Sequence, residues 1–359
     1  MGVLRFLLAL AVVIAHSNSL FGLNFVGGVI AVESFFIVSG FYMAFIWHEK
    51  YSLLSNSYSK FIINRLLRIY PLYWVVLAIT LIFLVSTSIL KRAPFWTFYY
   101  YANCHHPVVF CLILLSNILI VGLDIIMFLG FDSAGGIIVN KPHSMNVQFR
   151  FFNFIPPAWT LSIEILFYFL APFILKRGKF TVIFIFLASL TIKIALNYYH
   201  YDYDFFEYGF FPSELMFFCS GIISYYIYRK IINELWAPKY GVILQFILSF
   251  MILFFQHLPF NTTVNKYLLY SIIVCSIPFI FMYSKNFKWD RWLGELSYPL
   301  YIIHWLVVFL MKGVFVKYHY PDSYLGLSCI IISILMAITI TKYIVSPIEE
   351  IRAKRVQNG

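Results

Sequence analysis

The sequence predicts an all-α polytopic membrane protein, a helical bundle that occupies the whole chain. Its 359 residues are 62% hydrophobic and only 11% charged, whereas soluble globular proteins contain about 25% charged residues. Aromatic residues make up 21% of the chain and are candidates for interfacial belts and for lining an internal cavity. We therefore expect one integral-membrane domain over residues 1–359, with no soluble domain.

Eleven apolar runs are candidates for spanning helices, each near the roughly 20 residues that a crossing needs. They lie near residues 4–22, 26–47, 70–90, 109–130, 158–175, 180–198, 209–228, 241–258, 267–283, 296–316 and 325–346. The connection 48–69 carries Lys50, Lys60, Arg65 and Arg68 against the single acidic residue Glu49. Because short cytoplasmic loops are enriched in Lys and Arg, this connection and the N-terminus are predicted to face the cytoplasm.

Charge alternation along the rest of the chain fits ten crossings better than eleven. With eleven, the basic loops 176–179, 229–230 and 285–291 would lie outside and the acidic stretch 202–207 inside. Making one segment re-entrant reverses these assignments, so we predict about ten transmembrane helices with both termini cytoplasmic.

The re-entrant segment is either 109–130 or 158–175. The second follows Pro156-Pro157 and carries Glu164, and irregular backbone is tolerated at membrane depth where it lines a cavity. The sequence leaves this choice open.

Several classes of function and site are disfavoured by composition. The net charge of +11 is spread over short loops without a basic and aromatic array, which indicates topology rather than nucleic-acid binding. The five cysteines are scattered without a C-x-x-C pair and are expected to be small buried hydrophobic residues. The first apolar run lacks a small-residue cleavage site followed by a soluble domain, so a retained span is expected.

The first helix carries a charge at each end of an apolar run. Arg5 and His16 are separated by ten apolar residues, and eleven steps of about 100° place them on one face, about 16 Å apart along the axis. Ionisable side chains inside membrane helices usually face the bundle interior or a water-filled cavity. We expect a functional role for His16, with a hydrogen-bonded structural histidine as the alternative.

The next two charged positions lie in the second and third runs. Glu33 falls inside the second run, where it is either functional or neutralises a buried cation or accepts a hydrogen bond. Arg65 and Arg68 are three residues apart and share one side of a helix. A guanidinium group can bind two phosphate oxygens at once, so the two arginines are candidates for phosphate binding. A membrane anchor in which they contact lipid phosphates is the alternative.

Two further ionisable residues lie inside later apolar runs. Burying Glu164 costs several kcal/mol unless it has a partner, so we expect a hydrogen-bond donor or one of the buried cations beside it. His304 lies about two turns after Pro299, which suits the first turn of a helix. The alternative for His304, next to Trp305, is an interfacial residue.

In order and spacing, these segments resemble the membrane acyltransferase 3 family, which includes bacterial O-acetylases of lipopolysaccharide O-antigen and exopolysaccharide. The resemblance covers nearly the whole chain. It is carried by Arg5 with His16, Glu33-Ser-Phe-Phe-Ile-Val-Ser-Gly40, Arg65-Leu-Leu-Arg68 with Pro71, Trp159-Thr-Leu-Ser-Ile-Glu164, and Ser297-Tyr-Pro-Leu-Tyr-Ile-Ile-His304. The chain departs from the family at Glu33, where Asp is common, and at Ile165, where a second acidic residue is common.

The resemblance implies a stand-alone O-acyltransferase of the bacterial inner membrane, with a glycan or glycolipid acceptor and cytoplasmic acyl-coenzyme A, most simply acetyl-coenzyme A, as donor co-substrate. No tightly bound cofactor and no metal is expected. The residues assigned on this basis are His16, Glu33, Glu164 and His304 for catalysis, Arg5, Arg65 and Arg68 for the donor, and Trp159, Ser162 and Tyr298 for the substrate.

A mechanism follows from these assignments. His16 would take a proton from the acceptor hydroxyl or itself accept the acyl group, and Glu33 or Glu164 would orient its imidazole. Two other classes remain open, a transporter or flippase of a glycolipid and a non-catalytic partner in polysaccharide assembly. The sequence has no inverted repeat of the kind that marks secondary transporters.

Overall fold

The computed structural model describes residues 1–89, 106–132, 136–139, 147–199, 206 and 208–357, and almost all of their regular structure is helical. The helices are α1 Gly2–His16, α2 Gly28–Ile46, α3 Ser57–Ile89, α4 Pro107–Leu119, α5 Leu123–Ile126, α6 Trp159–Lys176, α7 Lys179–Tyr198, α8 Phe211–Ile231, α9 Ala237–Leu253, α10 Thr262–Ser284, α11 Lys288–Tyr318, α12 Leu325–Ile340 and α13 Ser346–Gln357. Three short antiparallel strands, in the order β2-β1-β3, lie between α5 and α6: β1 Leu129–Phe131, β2 Ile137–Val139 and β3 Val147–Gln148.

Seven helical stretches within the described residues are long and apolar enough to cross a membrane. They are Gly28–Tyr51, Ser57–Ser86, Pro156–Lys176, Lys179–Tyr198, Thr262–Ser284, Lys288–Tyr318 and Asp322–Lys354, and α1, α4 and α9 are shorter apolar helices. The predicted class, an all-α polytopic membrane protein, agrees with this architecture. The count of ten crossings and the orientation of the termini stay predictions.

Helix α4 and the strand β1 lie on either side of a reversal of the chain, and their outer ends meet. At these outer ends the ring of His106 stacks on Phe131, with ring centroids 4.2 Å apart. Directly after α4, Ile120 and Gly122 have positive φ angles of 65° and 83°, which reverse the chain. A helix of 13 residues is about 20 Å long, too short to cross the roughly 30 Å of hydrocarbon.

Side chains of α3 satisfy the carbonyl groups at the end of α4. The last carbonyls of a helix have no partner within the helix and cannot remain unpaired in a membrane interior. Three consecutive carbonyls accept hydrogen bonds here, from Tyr73 to Asn117, from Trp74 to Ile118 and from Tyr70 to Leu119. Of the two candidates left open by the sequence, 109–130 contains a short helix followed by a reversal of the chain, whereas residues 159–175 lie within the continuous helix α6. Which segment is re-entrant in a membrane stays a prediction.

Close packing of α1 against α11 sets the position of both ends of α1. The backbone N–H groups of Gly2 and Val3 donate to the carboxylate of Asp290 at 2.8 and 2.9 Å. A Cβ atom on Gly2 would lie 1.5 Å from the Asp290 carbonyl oxygen, so only glycine permits this approach. Because α1 is held to α11 here, its far end lies beside the middle of α11, where His16 meets His304.

Helices α2 and α8 also pack at backbone distance. A Cβ atom on Gly40 would lie 2.0 Å from the carbonyl oxygen of Phe218, and one on Gly221 would lie 2.0 Å from that of Ile37. Small residues allow such contacts between membrane helices. This crossing brings the carboxylates of α2 and α8 into one buried cluster, described below.

Candidate active site

Two cavities lie next to each other inside the bundle. The first, called here the arginine cavity, has a volume of about 90 Å³ and its polar lining includes Arg5, Ser39, Tyr42, Arg68, Glu164 and Tyr168. The second, the histidine cavity, has a volume of about 670 Å³ and is lined mainly by apolar and aromatic side chains, with His16 among them. Val32 and Tyr301 line both cavities, so the two spaces adjoin.

Helix α1 contributes one charged residue to each cavity. Arg5, near its start, lines the arginine cavity, and His16, its last residue, lines the histidine cavity. Helical periodicity predicted that both residues share one face, and both do face cavities. The two charged residues of α1 thus border different cavities.

In the arginine cavity, a carboxylate lies among tyrosines and arginines. The hydroxyl groups of Ser39 and Tyr168 donate to Oε1 of Glu164 at 2.8 and 2.5 Å. The Arg5 guanidinium lies 5.9 Å from the centre of the Tyr42 ring. Within the described residues, the Arg68 guanidinium forms no hydrogen bond and no ion pair. Glu164 therefore has the hydrogen-bond donors that were expected for a buried carboxylate.

In the histidine cavity, the position of the His16 proton follows from its backbone contact. Nδ1 of His16 lies 2.9 Å from the carbonyl oxygen of Val12. A carbonyl oxygen can only accept a hydrogen bond, so Nδ1 is assigned as the protonated nitrogen and Nε2 carries the lone pair. This tautomer suits a general base that acts through Nε2.

His304 lies beside His16 on α11. The two ring centroids are 5.1 Å apart, and the Trp305 ring packs edge-on against His16 at 5.4 Å. His304 is fully buried, and its Nδ1 contacts the carbonyl oxygen of Tyr301. Its Nε2 has no hydrogen-bond partner in the part of the chain that the structure describes. The two histidines that the sequence singled out are thus neighbours, although they are 288 positions apart in the chain.

Glu33 lies elsewhere, in a group that we call the buried charge cluster: Glu33, Lys193, Glu214, Lys266 and Tyr270. Its carboxylate accepts a hydrogen bond from Lys193 Nζ at 2.6 Å and another from Tyr270, and it pairs with Lys266 Nζ at 3.3 Å. Lys193 also donates to Glu214 at 2.8 Å. Glu33 lines neither cavity, so the interpretation in which it neutralises a buried cation agrees with the structure.

The expected carboxylate contact with His16 is absent among the described residues. The expectation that Glu33 or Glu164 orients the imidazole requires a correction, because Glu33 belongs to the buried charge cluster and Glu164 binds Ser39 and Tyr168. The backbone carbonyl of Val12 orients the ring instead. The reason is geometric, since His16 ends its helix and its ring folds back one turn along α1.

Among the three residues assigned to the substrate, two line cavities and one does not. Trp159 lines the histidine cavity. Tyr298 lines the arginine cavity, and its hydroxyl donates to the carbonyl oxygen of Ile69 at 2.8 Å. Ser162 is fully buried and donates to Oδ1 of Asp124 at 2.6 Å. Ser162 therefore ties α6 to α5 rather than facing either cavity.

The two arginines of α3 have different surroundings. Arg68 lines the arginine cavity, whereas Arg65 is only 4% exposed and lines neither cavity. Nε and Nη1 of Arg65 have no hydrogen-bond partner within the described residues. A spacing of three residues places both side chains on the same side of α3 but at different depths, which is why only one of them borders the cavity.

Some residues of the site were not singled out from the sequence. Tyr168 could have been found, because it lies one turn after Glu164 on the same helix and residues four apart are neighbours. Lys193 also left a signal, since a lysine within an apolar run is rare and usually paired. Thr160 and Tyr301 carry no such signal. Within the described residues, no group of three or more His, Cys, Asp or Glu side chains could hold a metal ion.

Comparison with known proteins concerns the chain as a whole. A family model described as an acyltransferase domain matches residues 1–344. A protein of Aquifex aeolicus (strain VF5), described as uncharacterized, is 26% identical over 204 residues, which cover 54% of this chain and 86% of that protein. No solved structure matches the chain.

Proposed function

The chain belongs to the acyltransferase 3 family, and from this premise we propose that it is a membrane O-acyltransferase that moves an acyl group, acetyl in the simplest case, from acyl-coenzyme A to a hydroxyl group of a glycan. One observation carries the proposal. A cavity with two arginines adjoins a larger cavity lined by a histidine whose Nδ1 is bonded to a backbone carbonyl, which leaves the lone pair on Nε2. A donor with phosphate charges and an acceptor with a hydroxyl group need such a pair of sites.

The arginine cavity has the chemistry to receive the donor. Coenzyme A carries phosphate groups, and guanidinium groups bind phosphate through charge-assisted hydrogen bonds. Arg5 and Arg68 line the cavity, and the Arg68 guanidinium has no hydrogen-bond partner within the described residues. The Glu164 carboxylate offers an acceptor for the amide N–H groups of the pantetheine arm. Arg65, one turn before Arg68, adds positive potential from its buried position.

The histidine cavity has the size and the lining of an acceptor site. Its volume of about 670 Å³ lies within the usual range of roughly 300–1,000 Å³ for ligand pockets, which are mostly apolar and aromatic with a few polar groups. Trp159 and Trp305 offer flat apolar surfaces to sugar rings. His16 is the polar group placed to act on a hydroxyl.

The transfer step uses this arrangement of groups. Nε2 of His16 removes the proton of the acceptor hydroxyl while the oxygen attacks the thioester carbonyl carbon. The C–O ester bond forms, the C–S bond breaks, and the thiolate of coenzyme A takes up the proton from the imidazolium. The products are the acylated glycan and free coenzyme A. His304 supports the His16 ring from the side.

In this proposal the protein lies in the bacterial cytoplasmic membrane with both termini in the cytoplasm. Arg5 and Arg68 then belong to the cytoplasmic half, where acyl-coenzyme A is made, and His16 lies at the opposite end of α1. The acceptor reaches His16 from the extracytoplasmic side as a glycan or a glycolipid in the bilayer. The loop 48–69 and the C-terminal helix are cytoplasmic in this orientation.

The proposal is tested with membrane vesicles that contain the full chain and a cell-surface glycan preparation. Acetyl-coenzyme A labelled in the acetyl group is added, and the glycan is isolated and counted. We expect label in the glycan, released by mild alkali as acetate because the bond is an ester. A glycan that stays unlabelled while it is moved across the membrane would identify a flippase and overturn the proposal.

A further inference from the structure

Tyr301 lies where the two cavities meet. Among the residues that the structure describes, Tyr301 and Val32 are the two that line both cavities. Both are largely buried, at 8% and 7% exposure. Any group that passes from one cavity to the other must therefore pass these two side chains.

The tyrosine is held in this position from several sides. Its hydroxyl group shares a hydrogen bond of 2.8 Å with Thr160 Oγ1 and donates to the carbonyl oxygen of Pro157 at 3.2 Å. The ring packs edge-on against Phe35, with centroids 6.2 Å apart. Thr160 is itself anchored to the Pro157 carbonyl oxygen at 3.0 Å. The ring joins α11 to the beginning of α6.

We propose that Tyr301, together with Val32, forms a septum that keeps the donor thioester in the arginine cavity, away from water in the histidine cavity, until an acceptor is bound, and that limits the size of the acyl group that passes to His16. This inference rests on the proposed function. The hydroxyl group of Thr160 is the latch of the septum, because its hydrogen bond keeps the Tyr301 ring across the connection. Tyr301 is thus a specificity-determining residue that acts by excluding water.

The need for a septum follows from the chemistry of the two cavities. A thioester beside His16 reacts with any hydroxyl that the imidazole activates, and water is such a hydroxyl. In hydrolysis the water oxygen bonds to the carbonyl carbon, the C–S bond breaks, and acetate and coenzyme A are released. The larger cavity has room for many waters, so an enzyme without a barrier would lose its donor whenever the acceptor is absent.

The experiment measures this loss directly and needs no acceptor. The full chain is purified in detergent with acetyl-coenzyme A, and the release of free thiol is followed with a thiol-reactive dye. For Tyr301→Ala we expect hydrolysis to rise by about tenfold or more over the wild type, a barrier change that a lost steric block readily produces. Tyr301→Phe keeps the ring but loses the latch, so its rise should be smaller.

Two further variants test whether faster hydrolysis comes from the septum or from general loosening of the protein. Val32→Ala opens the septum from the other side and should raise hydrolysis even if Tyr301→Ala fails to fold. Tyr228→Ala is the matched control, since Tyr228 is a buried tyrosine of α8 that lines neither cavity. A similar rise in Tyr228→Ala would mean that general loosening is the cause and would overturn the septum.

Chain length gives an independent readout. The wild type should use butyryl-coenzyme A much more slowly than acetyl-coenzyme A in this assay, and Tyr301→Ala should reduce that preference. Binding of acetyl-coenzyme A is measured in parallel by calorimetry. Absence of binding in the wild type contradicts the proposed function itself, whereas normal binding with unchanged hydrolysis and unchanged chain-length preference in both Tyr301→Ala and Val32→Ala overturns the septum alone.

Discussion

The buried charge cluster and the arginine cavity each contain a glutamate on a membrane helix, but their charges balance differently. In the cluster, two carboxylates face two ammonium groups, with Lys193 bridging Glu33 and Glu214. In the arginine cavity, Arg5 and Arg68 face the single carboxylate of Glu164. The cluster is therefore formally neutral, whereas the side chains that line the cavity carry one net positive charge and have space beside them.

This difference separates structural from functional charge in the same bundle. A charge taken out of water must be compensated, and in the cluster the protein supplies the whole compensation. In the cavity the compensation is incomplete, as expected for a site that receives an anionic ligand. Substitutions in the two regions should therefore affect different measurements.

The largest effect is expected for His16→Ala, in the histidine cavity that adjoins the arginine cavity. The variant should transfer acyl groups about 100- to 10,000-fold more slowly, the usual contribution of a general base, while its melting temperature stays near that of the wild type. Transfer of labelled acetyl to glycan and thermal unfolding in detergent provide the two measurements. Wild-type transfer by a folded His16→Ala protein would contradict the role of the imidazole.

On the cluster side, Glu33→Ala should act mainly on stability. Removing one partner of a buried ion pair typically costs about 3–5 kcal/mol, because the other charge is left uncompensated. Lys193 keeps Glu214 as a partner, so the lower part of this range is expected. The midpoint of thermal unfolding is the measurement, and Glu164→Gln is the matched control, expected to lower activity more than stability. Equal losses of stability in both variants would remove the distinction between the two regions.

Donor binding distinguishes the two arginines of α3. Hydrogen bonds to charged groups contribute about 1.5–3 kcal/mol, so Arg68→Ala should weaken binding of acetyl-coenzyme A by roughly ten- to a hundredfold. Arg68→Lys keeps the charge without the planar fork and should recover part of the affinity. Calorimetric titration measures both variants.

Arg65→Ala is the control for that experiment, because Arg65 lies outside the cavity lining. Its effect on donor affinity should be smaller than that of Arg68→Ala. If Arg65→Ala had the larger effect, the phosphates would have to bind one turn earlier along α3, beside Arg65, rather than in the arginine cavity.

The smallest effect is expected for Ser162→Ala on α6. The substitution removes one hydrogen bond to Asp124, worth about 0.5–1.5 kcal/mol of stability, and should leave the apparent affinity for the acceptor unchanged. Trp159→Ala, one turn away but in the histidine cavity, should weaken the acceptor instead. Acceptor titrations of the two variants compare a buried residue with a cavity residue on the same helix.

Much of the architecture was already contained in local sequence properties. Apolar runs of helical length predict the bundle, and loop charges indicate that one segment between 70 and 175 differs from the others. Periodicity places Arg5 and His16 on one face because the helix repeat is the same in every context. These inferences succeed because hydrophobicity, charge and helical spacing act over a few neighbouring residues.

The tertiary structure decided which charges belong together. Glu33 and Lys193 are 160 positions apart, and no local pattern shows that Glu33 meets a lysine of α7 or that Glu164 meets a serine of α2. The reversal of the chain after α4 likewise depends on hydrogen-bond donors from α3, and the septum depends on contact between α6 and α11. Each of these pairings is set by the register and rotation of packed helices. Small changes in packing alter both, and the sequence of a single helix encodes neither.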